Sequence, residues 1–265
     1  MNGKSEITEK YSGLYRNNIE RISTLSTPFI NSFRTRAFEK FEELGVPTKK
    51  NEAYKYTNLN IFFDHDYRNY FMPEPSDFVK AEEFRCDVTD LDAYGLVLLN
   101  GFYPTLNDKL RELPGGIKVG SLNEASRRYP ELFEKHFGKY ANSDTDGLVH
   151  LNTAMASDGV FVHVPEGAVL AKPVQVVNLV QSDEDTFTQH RNLVIVEKNA
   201  QFSIIICDHT LSPHKFLTNA VTEVYVGENA HFDILRVQNE HNAACKITHT
   251  FIHQEKNSYA ASNNL

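Results

Sequence analysis

The 265-residue chain has no tryptophan, and its three cysteines (Cys86, Cys207 and Cys245) are too few and too scattered to form a disulfide framework. They include no CxxC pair, which removes the common zinc and redox spacings. A reducing cytoplasm is the expected compartment. No stretch approaches the roughly 18 apolar residues of a membrane-spanning helix. Met1 to Lys10 is polar, unlike a secretory signal, so no membrane association is expected. Basic residues do not cluster beyond Lys49-Lys50 with Lys55 nearby, and the formal net charge is −8. Nucleic-acid binders neutralise phosphates with concentrated Lys and Arg, so nucleic acid is not an expected partner. The sequence also has no G-x-S-x-G, P-loop, dinucleotide-binding or HExxH motif.

What is present begins with helices. Ile7, Tyr11, Leu14, Tyr15, Ile19 and Ile22 recur three or four apart and form one stripe. Thr27 is placed to cap a second helix and Pro28 to occupy its first position. Gly45 in a left-handed conformation ends that helix, and Pro47 prevents its resumption. Between Lys49 and Val79 aromatic residues are dense but aperiodic, and Met72-Pro73-Glu74-Pro75 reads as a linker. Leu96 to Leu99, followed by Asn100-Gly101, predicts a strand entering a hairpin. Ser121 with Glu124 forms a capping box that opens a helix interrupted by Pro130.

After Asp146-Gly147 the character changes to β-branched residues and an internal repeat. Glu197-Lys198-Asn199-Ala200-Gln201-Phe202 resembles Gly227-Glu228-Asn229-Ala230-His231-Phe232, thirty positions later. Val194, Val196, Ala200, Phe202 and Ile204 map onto Val224, Val226, Ala230, Phe232 and Ile234. All ten are apolar and even-numbered, so each copy presents one face with strand period. A looser copy at an offset of thirty-two contains Val162, Val164, Ala168 and Leu170, with Lys172-Pro173 breaking its second strand. A degenerate fourth copy starts at Glu255-Lys256-Asn257-Ser258. The repeated Asn suits a positive φ. Each unit reads as strand, tight turn, strand, and only stacking buries its apolar face. The expected fold is mostly β: a right-handed β-helix core over residues 148–265, preceded by a helical and small α+β region over 1–147. A β-sandwich of hairpins is the competing reading.

Seven of the eleven histidines lie between His190 and His253. His249 and His253 are four apart, about 13 Å in a strand, too far to chelate one ion. At the thirty-residue offset His190 aligns with Ala220, His209 with Asn239, His231 with Gln201 and His249 with Asn219, so no histidine ladder forms. These histidines are expected on the polar surface. Cys207 and His209 share a strand face with Asp208 turned away; a packed thiol is the expectation there. Asp144 and Asp146 read as solvated loop carboxylates. Asp233 aligns with Ser203 and Glu223 with Leu193, so no acidic row forms.

Two segments resemble a known family. Leu44-Gly45-Val46-Pro47-Thr48-Lys49-Lys50-Asn51-Glu52-Ala53-Tyr54-Lys55-Tyr56-Thr57-Asn58-Leu59 is similar to the N-terminal signature of SufD proteins, which usually carry tryptophan where this chain has Tyr54. Leu151-Asn152-Thr153-Ala154, Asp158-Gly159 and Val164-Pro165-Glu166-Gly167 resemble the start of the β-helical core shared by SufB and SufD proteins. The resemblance implies a non-catalytic scaffold role in iron–sulfur cluster assembly, beside a SufB-like subunit and the ATPase SufC. The cluster and ATP would then belong to the assembled complex, and this chain would bind no cofactor of its own. Family members continue through further coils and a C-terminal helical segment, whereas this sequence stops at Asn263-Asn264-Leu265. The family's functional histidine of the later coils has no counterpart. No catalytic, cofactor or metal residue is therefore carried over. A shortened chain that self-associates through an open solenoid end is a further expectation. Two other readings remain: a β-helix hydrolase or lyase acting on a saccharide, and a cupin-like metal protein. Tyr54 and Lys55 could form a partner surface or pack the helical region, and packing is the expectation.

Overall fold

A computed structural model describes residues 5–72, 91–104, 109–141 and 144–265. Cys86 and most of the expected linker after Met72 lie outside these residues. Helix α1 (Glu6–Thr24) is capped by Ser5, whose side chain accepts from the Thr8 amide. Helix α2 (Pro28–Leu44) is capped by Thr27 as expected. Gly45 ends α2 with φ 68° and ψ −169°. This is not the left-handed helical conformation read from the sequence but an extended one with positive φ, which is nearly exclusive to glycine. The aromatic segment forms a short 3₁₀ turn at Glu52–Tyr54, helix α3 (Asn60–Phe63) and strand β1 (Arg68–Asn69).

Strand β2 (Tyr94–Leu99) leads into Asn100-Gly101, where Leu99 and Phe102 exchange both backbone hydrogen bonds. The expected tight turn is present, but the hairpin stops at that one pair. Strand β2 pairs in parallel with β6 (Val174–Val180), because its apolar Leu96 and Leu98 complete the solenoid interior instead. Strands β3 (Leu110–Leu113) and β4 (Ile117–Ser121) form an antiparallel pair, and β4 joins β5 (Val160–Val164). Ser121 then caps helix α4 (Leu122–Arg128) by accepting from the Glu124 amide, and Pro130 opens helix α5 (Pro130–His136). Helix α6 (Gly147–Met155) precedes β5.

From β5 onward the chain winds as a solenoid. Strands β7 (Thr186–Val196), β9 (Phe216–Val226) and β11 (Ala244–Gln254) extend β5 in one parallel sheet, while β8 (Gln201–Thr210), β10 (His231–Asn239) and β12 (Tyr259–Asn264) extend β6 in the other. Val194 pairs with Val224 and Phe202 with Phe232, so the thirty-residue repeat is one coil. Phe161 pairs with Leu193 and His231 with Tyr259, giving coils of 32 and 28 residues at the two ends. Asn199, Asn229 and Asn257 hold φ of 57°, 57° and 59° at the tight turns, and Gly167 holds 71° at the equivalent position of the first coil. Even-numbered side chains fill the interior, where the Phe202 and Phe232 rings stack 6.4 Å apart. Each such burial contributes roughly 1.5–3 kcal/mol.

The single buried face expected for each strand understates β7 and β9, which are buried on both faces except at Tyr225. Odd-numbered Phe187 and Leu217 meet Tyr11, Tyr15 and Phe63 of the helical region. Leu193 and Ile195 meet Phe133, Phe137 and Ile30. Helices therefore cover the outer face of the first sheet, and both sheets include strands that precede α6.

Candidate functional site: a charged interior and the seams around it

Away from the tight turns the solenoid interior becomes polar. The inward positions at that end are Asn178, Asp208, Arg236 and Lys246, each on a different strand. Asp208 is fully buried, bonded by the Lys246 ammonium and, at 2.7 Å, by the Asn178 amide; Arg236 Nη1 lies 3.5 Å from its other oxygen. Burial alone would raise the Asp208 pKa, but Lys246, Asn178 and Arg236 together outweigh it and hold the carboxyl below its usual range. Burial pushes Lys246 down, with Asp208 opposing. Burial, reinforced by Lys246, also drives His190 down to about 3, so its imidazole is neutral at neutral pH. Two cations thus enclose one carboxylate in a low-dielectric interior. Slipping β8, β10 or β11 by one residue would turn its charge outward and strand the others.

Three seams fasten the helical region to the solenoid. At the first, Asn152 Nδ2 donates to the carbonyls of His190 and Asn219, both at 2.9 Å. Asn219 Nδ2 donates in turn to the Leu148 carbonyl. At the second, Glu223 accepts from the amides of Gly138, Tyr140 and Ala141 and pairs with Arg191 at 2.7 Å. Burial opposes the Glu223 charge, yet Arg191 and these amides keep its pKa lowered. At the third, Tyr54 Oη donates to Asp146 at 2.6 Å, and His249 Nε2 lies 2.9 Å from the same oxygen and 3.0 Å from Oη. Tyr54 is raised well above the usual phenol by burial and then by Asp146. Asp146 is lowered despite burial, because His249 and Tyr54 hydrogen-bond its charged form.

Several expectations change here. His190 and His209 are buried at 3% and 7% exposure, not on the polar surface, because even residues face inward and the odd face of β8 is covered at this end. His249 pairs with Val221, not Asn219, because the last coil is two residues shorter than thirty. Asp146 is not a solvated loop carboxylate: it caps α6 and anchors Tyr54. Cys207 is packed, at 1% exposure, and Tyr54 packs in the helical region as expected. Asp233 stacks on Ser203 and Glu223 on Leu193. Among the described residues no group of three or more His, Cys, Asp or Glu side chains is placed to hold a metal ion. No helix among them is long and apolar enough to cross a membrane. The charged interior escaped notice although the same even-number rule that marks Val194 and Val224 also marks Asp208, Arg236 and Lys246.

Both family-like segments have structural roles: Tyr54 of the first belongs to the Asp146 seam, and the second supplies two more residues. Asn152 is the seam residue above, and a Cβ at Gly159 would lie 1.9 Å from the Arg191 carbonyl oxygen, which excludes any larger residue.

Comparison with known proteins agrees with this architecture. The family model for the SufBD protein N-terminal region matches residues 5–176, and that for the SUF system FeS cluster assembly, SufBD core domain, matches residues 179–265. An iron–sulfur cluster assembly SufBD family protein of Synechocystis sp. is 27% identical over 245 residues, covering 85% of this chain and 51% of the relative. The iron–sulfur cluster assembly protein SufD of Bacillus subtilis is 25% identical over 207 residues, covering 76% and 46%. A SufBD family protein of Arabidopsis thaliana is 32% identical over 116 residues, covering 43% and 25%. The chain spans about half the length of the first two of these relatives. With these two family models together matching residues 5–176 and 179–265, the chain belongs to the SufBD family of iron–sulfur cluster assembly proteins.

Proposed function

We propose that this chain acts as a non-catalytic scaffold in an iron–sulfur cluster assembly complex, pairing with a SufB-like subunit and an ABC-type ATPase of the SufC kind in the cytoplasm. The cluster is cargo of the complex, ATP is consumed by the ATPase, and this chain holds no cofactor of its own. The observation that carries the reading is family membership across both halves of a chain whose polar groups are largely spent on its own architecture. Glu223, Asp208 and Asp146 are each tied to cationic or hydrogen-bonding partners within the fold. The saccharide-enzyme reading needs carboxylates in register on adjacent coils, and Asp233 over Ser203 supplies none there. The cupin reading needs ligands converging inside a barrel, whereas these sheets are stacked parallel coils.

The test is co-expression with SufB-like and SufC-like subunits, beside a full-length relative. Co-elution of all three on size exclusion, lost when the scaffold is omitted, is expected. If this chain and the full-length relative both elute alone, or only self-associate, the proposal fails.

A further inference from the structure

A groove of about 410 Å³ lies where α2, the segment after α5 and α6 meet, away from the solenoid interior. It is lined by Arg36 and Lys40 on one face of α2, Lys139 on the segment after α5, half-buried His150 on α6, and Arg191 of β7. These come from four parts of the chain, so the fold assembles a concentration of cations that no sequence run announces. The chain as a whole carries −8, and the groove has the opposite sign. Its lining contains four permanently cationic side chains and one carboxylate, Asp144.

Two of these cations are committed elsewhere. Arg191 is held by Glu223, and Lys40 pairs at 2.7 Å with the exposed Glu43. No carboxylate among the described residues pairs with the side chains of Arg36 or Lys139. An Arg fork and a Lys point charge lining the same concave site, both exposed to solvent there, suit an anion with several charged oxygens. The volume lies in the range of small-molecule sites and is small for a folded segment of a partner. Concave walls also reduce the solvent screening that an isolated surface lysine experiences.

The geometry points to a binding site for a compact polyanion, a phosphate ester or small polycarboxylate, held by Arg36 and Lys139. The site is independent of the scaffold reading and uses none of the seam or interior residues as its grip.

Calorimetric titration of the 265-residue chain with inorganic pyrophosphate, and separately with citrate, tests it at constant ionic strength. Saturable one-site binding of at least one probe is expected. An Arg36→Gln/Lys139→Gln double variant should bind at least about tenfold more weakly, the factor that corresponds to losing one good charge-assisted contact. A Lys49→Gln/Lys50→Gln variant should match the unaltered chain, since those lysines lie outside the groove. Thermal melts check that both variants fold. If neither probe binds saturably the site is overturned, as it is by equal affinity in the double variant or an equal loss in the control. Saturable binding of a polyglutamate peptide alone would also overturn it, in favour of an acidic protein partner.

Discussion

Glu223 is a single side chain that organises a loop. Its two oxygens take three backbone amides of residues 138–141 and the Arg191 guanidinium, with the pair 0% and 3% exposed. Truncating one partner of such a pair leaves the other buried and uncompensated, at a cost of about 3–5 kcal/mol. Glu223→Gln should therefore lower the urea-unfolding free energy by about that amount. An Arg191→Met/Glu223→Gln double variant should lose less than the sum of the two single changes. Equal and additive losses would mean that the pair is not coupled. Asn152 is comparable on a smaller scale. Asn152→Ala removes two buried hydrogen bonds and leaves the carbonyls of His190 and Asn219 short of a donor. An expected cost of about 2–3 kcal/mol should appear as faster hydrogen exchange at α6 relative to the solenoid turns.

At the scale of elements, the tight turns carry the repeat. Asn199, Asn229 and Asn257 share positive φ, and Asn229 Nδ2 bonds Asn199 Oδ1 at 3.2 Å. A glycine at position 229 avoids the steric penalty, whereas a β-branched residue meets it in full. Asn229→Gly should change stability by less than about 1 kcal/mol, and Asn229→Val should cost about 1–2 kcal/mol more than the glycine. Denaturation midpoints of the two variants decide this, and equal midpoints would remove the backbone argument. This element was legible in the sequence because a local backbone demand leaves a local residue signature. The same holds for the Thr27-Pro28 and Ser121 helix starts. The double burial of β7 was partly legible in the unbroken apolar run Leu193-Val194-Ile195-Val196, which marks a strand covered on both faces. Asp146 was not legible as a seam, because its partners Tyr54 and His249 are 92 and 103 residues away. The register of the last coil was legible at its turn, since Asn257 follows Asn229 by 28 positions, but not along β11, where the thirty-residue offset misaligns His249. The loop before Ala244 absorbs the two-residue difference.

For the molecule as a whole, two buried histidines set an acid limit. Burial lowers His190 to about 3 and, with Lys135 nearby, His136 to about 4. Both stay neutral in the fold while the unfolded chain takes up protons below about 6.5. Because the unfolded state binds more protons in that window, stability is full above pH 6.5 and falls as the pH drops towards 4. At pH 5 each histidine should account for about 2 kcal/mol of lost stability. Urea midpoints at pH 7 and pH 5 measure the loss. His190→Gln should roughly halve the difference between them, and an unchanged difference would assign the acid sensitivity elsewhere. The depressed carboxylates Asp208, Glu223 and Asp146 add their own losses only at lower pH, as each is protonated.

The coils measure 32, 30 and 28 residues where their strands pair, and every one of these numbers is even. A pleated chain changes sides with each residue, so parity is conserved down the stack while perimeter is free to shrink. Removing two residues from a coil tapers the column; removing one from within a strand would evert everything beyond it up to the next loop able to compensate. Natural variation in this column should therefore come in pairs inside strands, with odd changes confined to the connections between them.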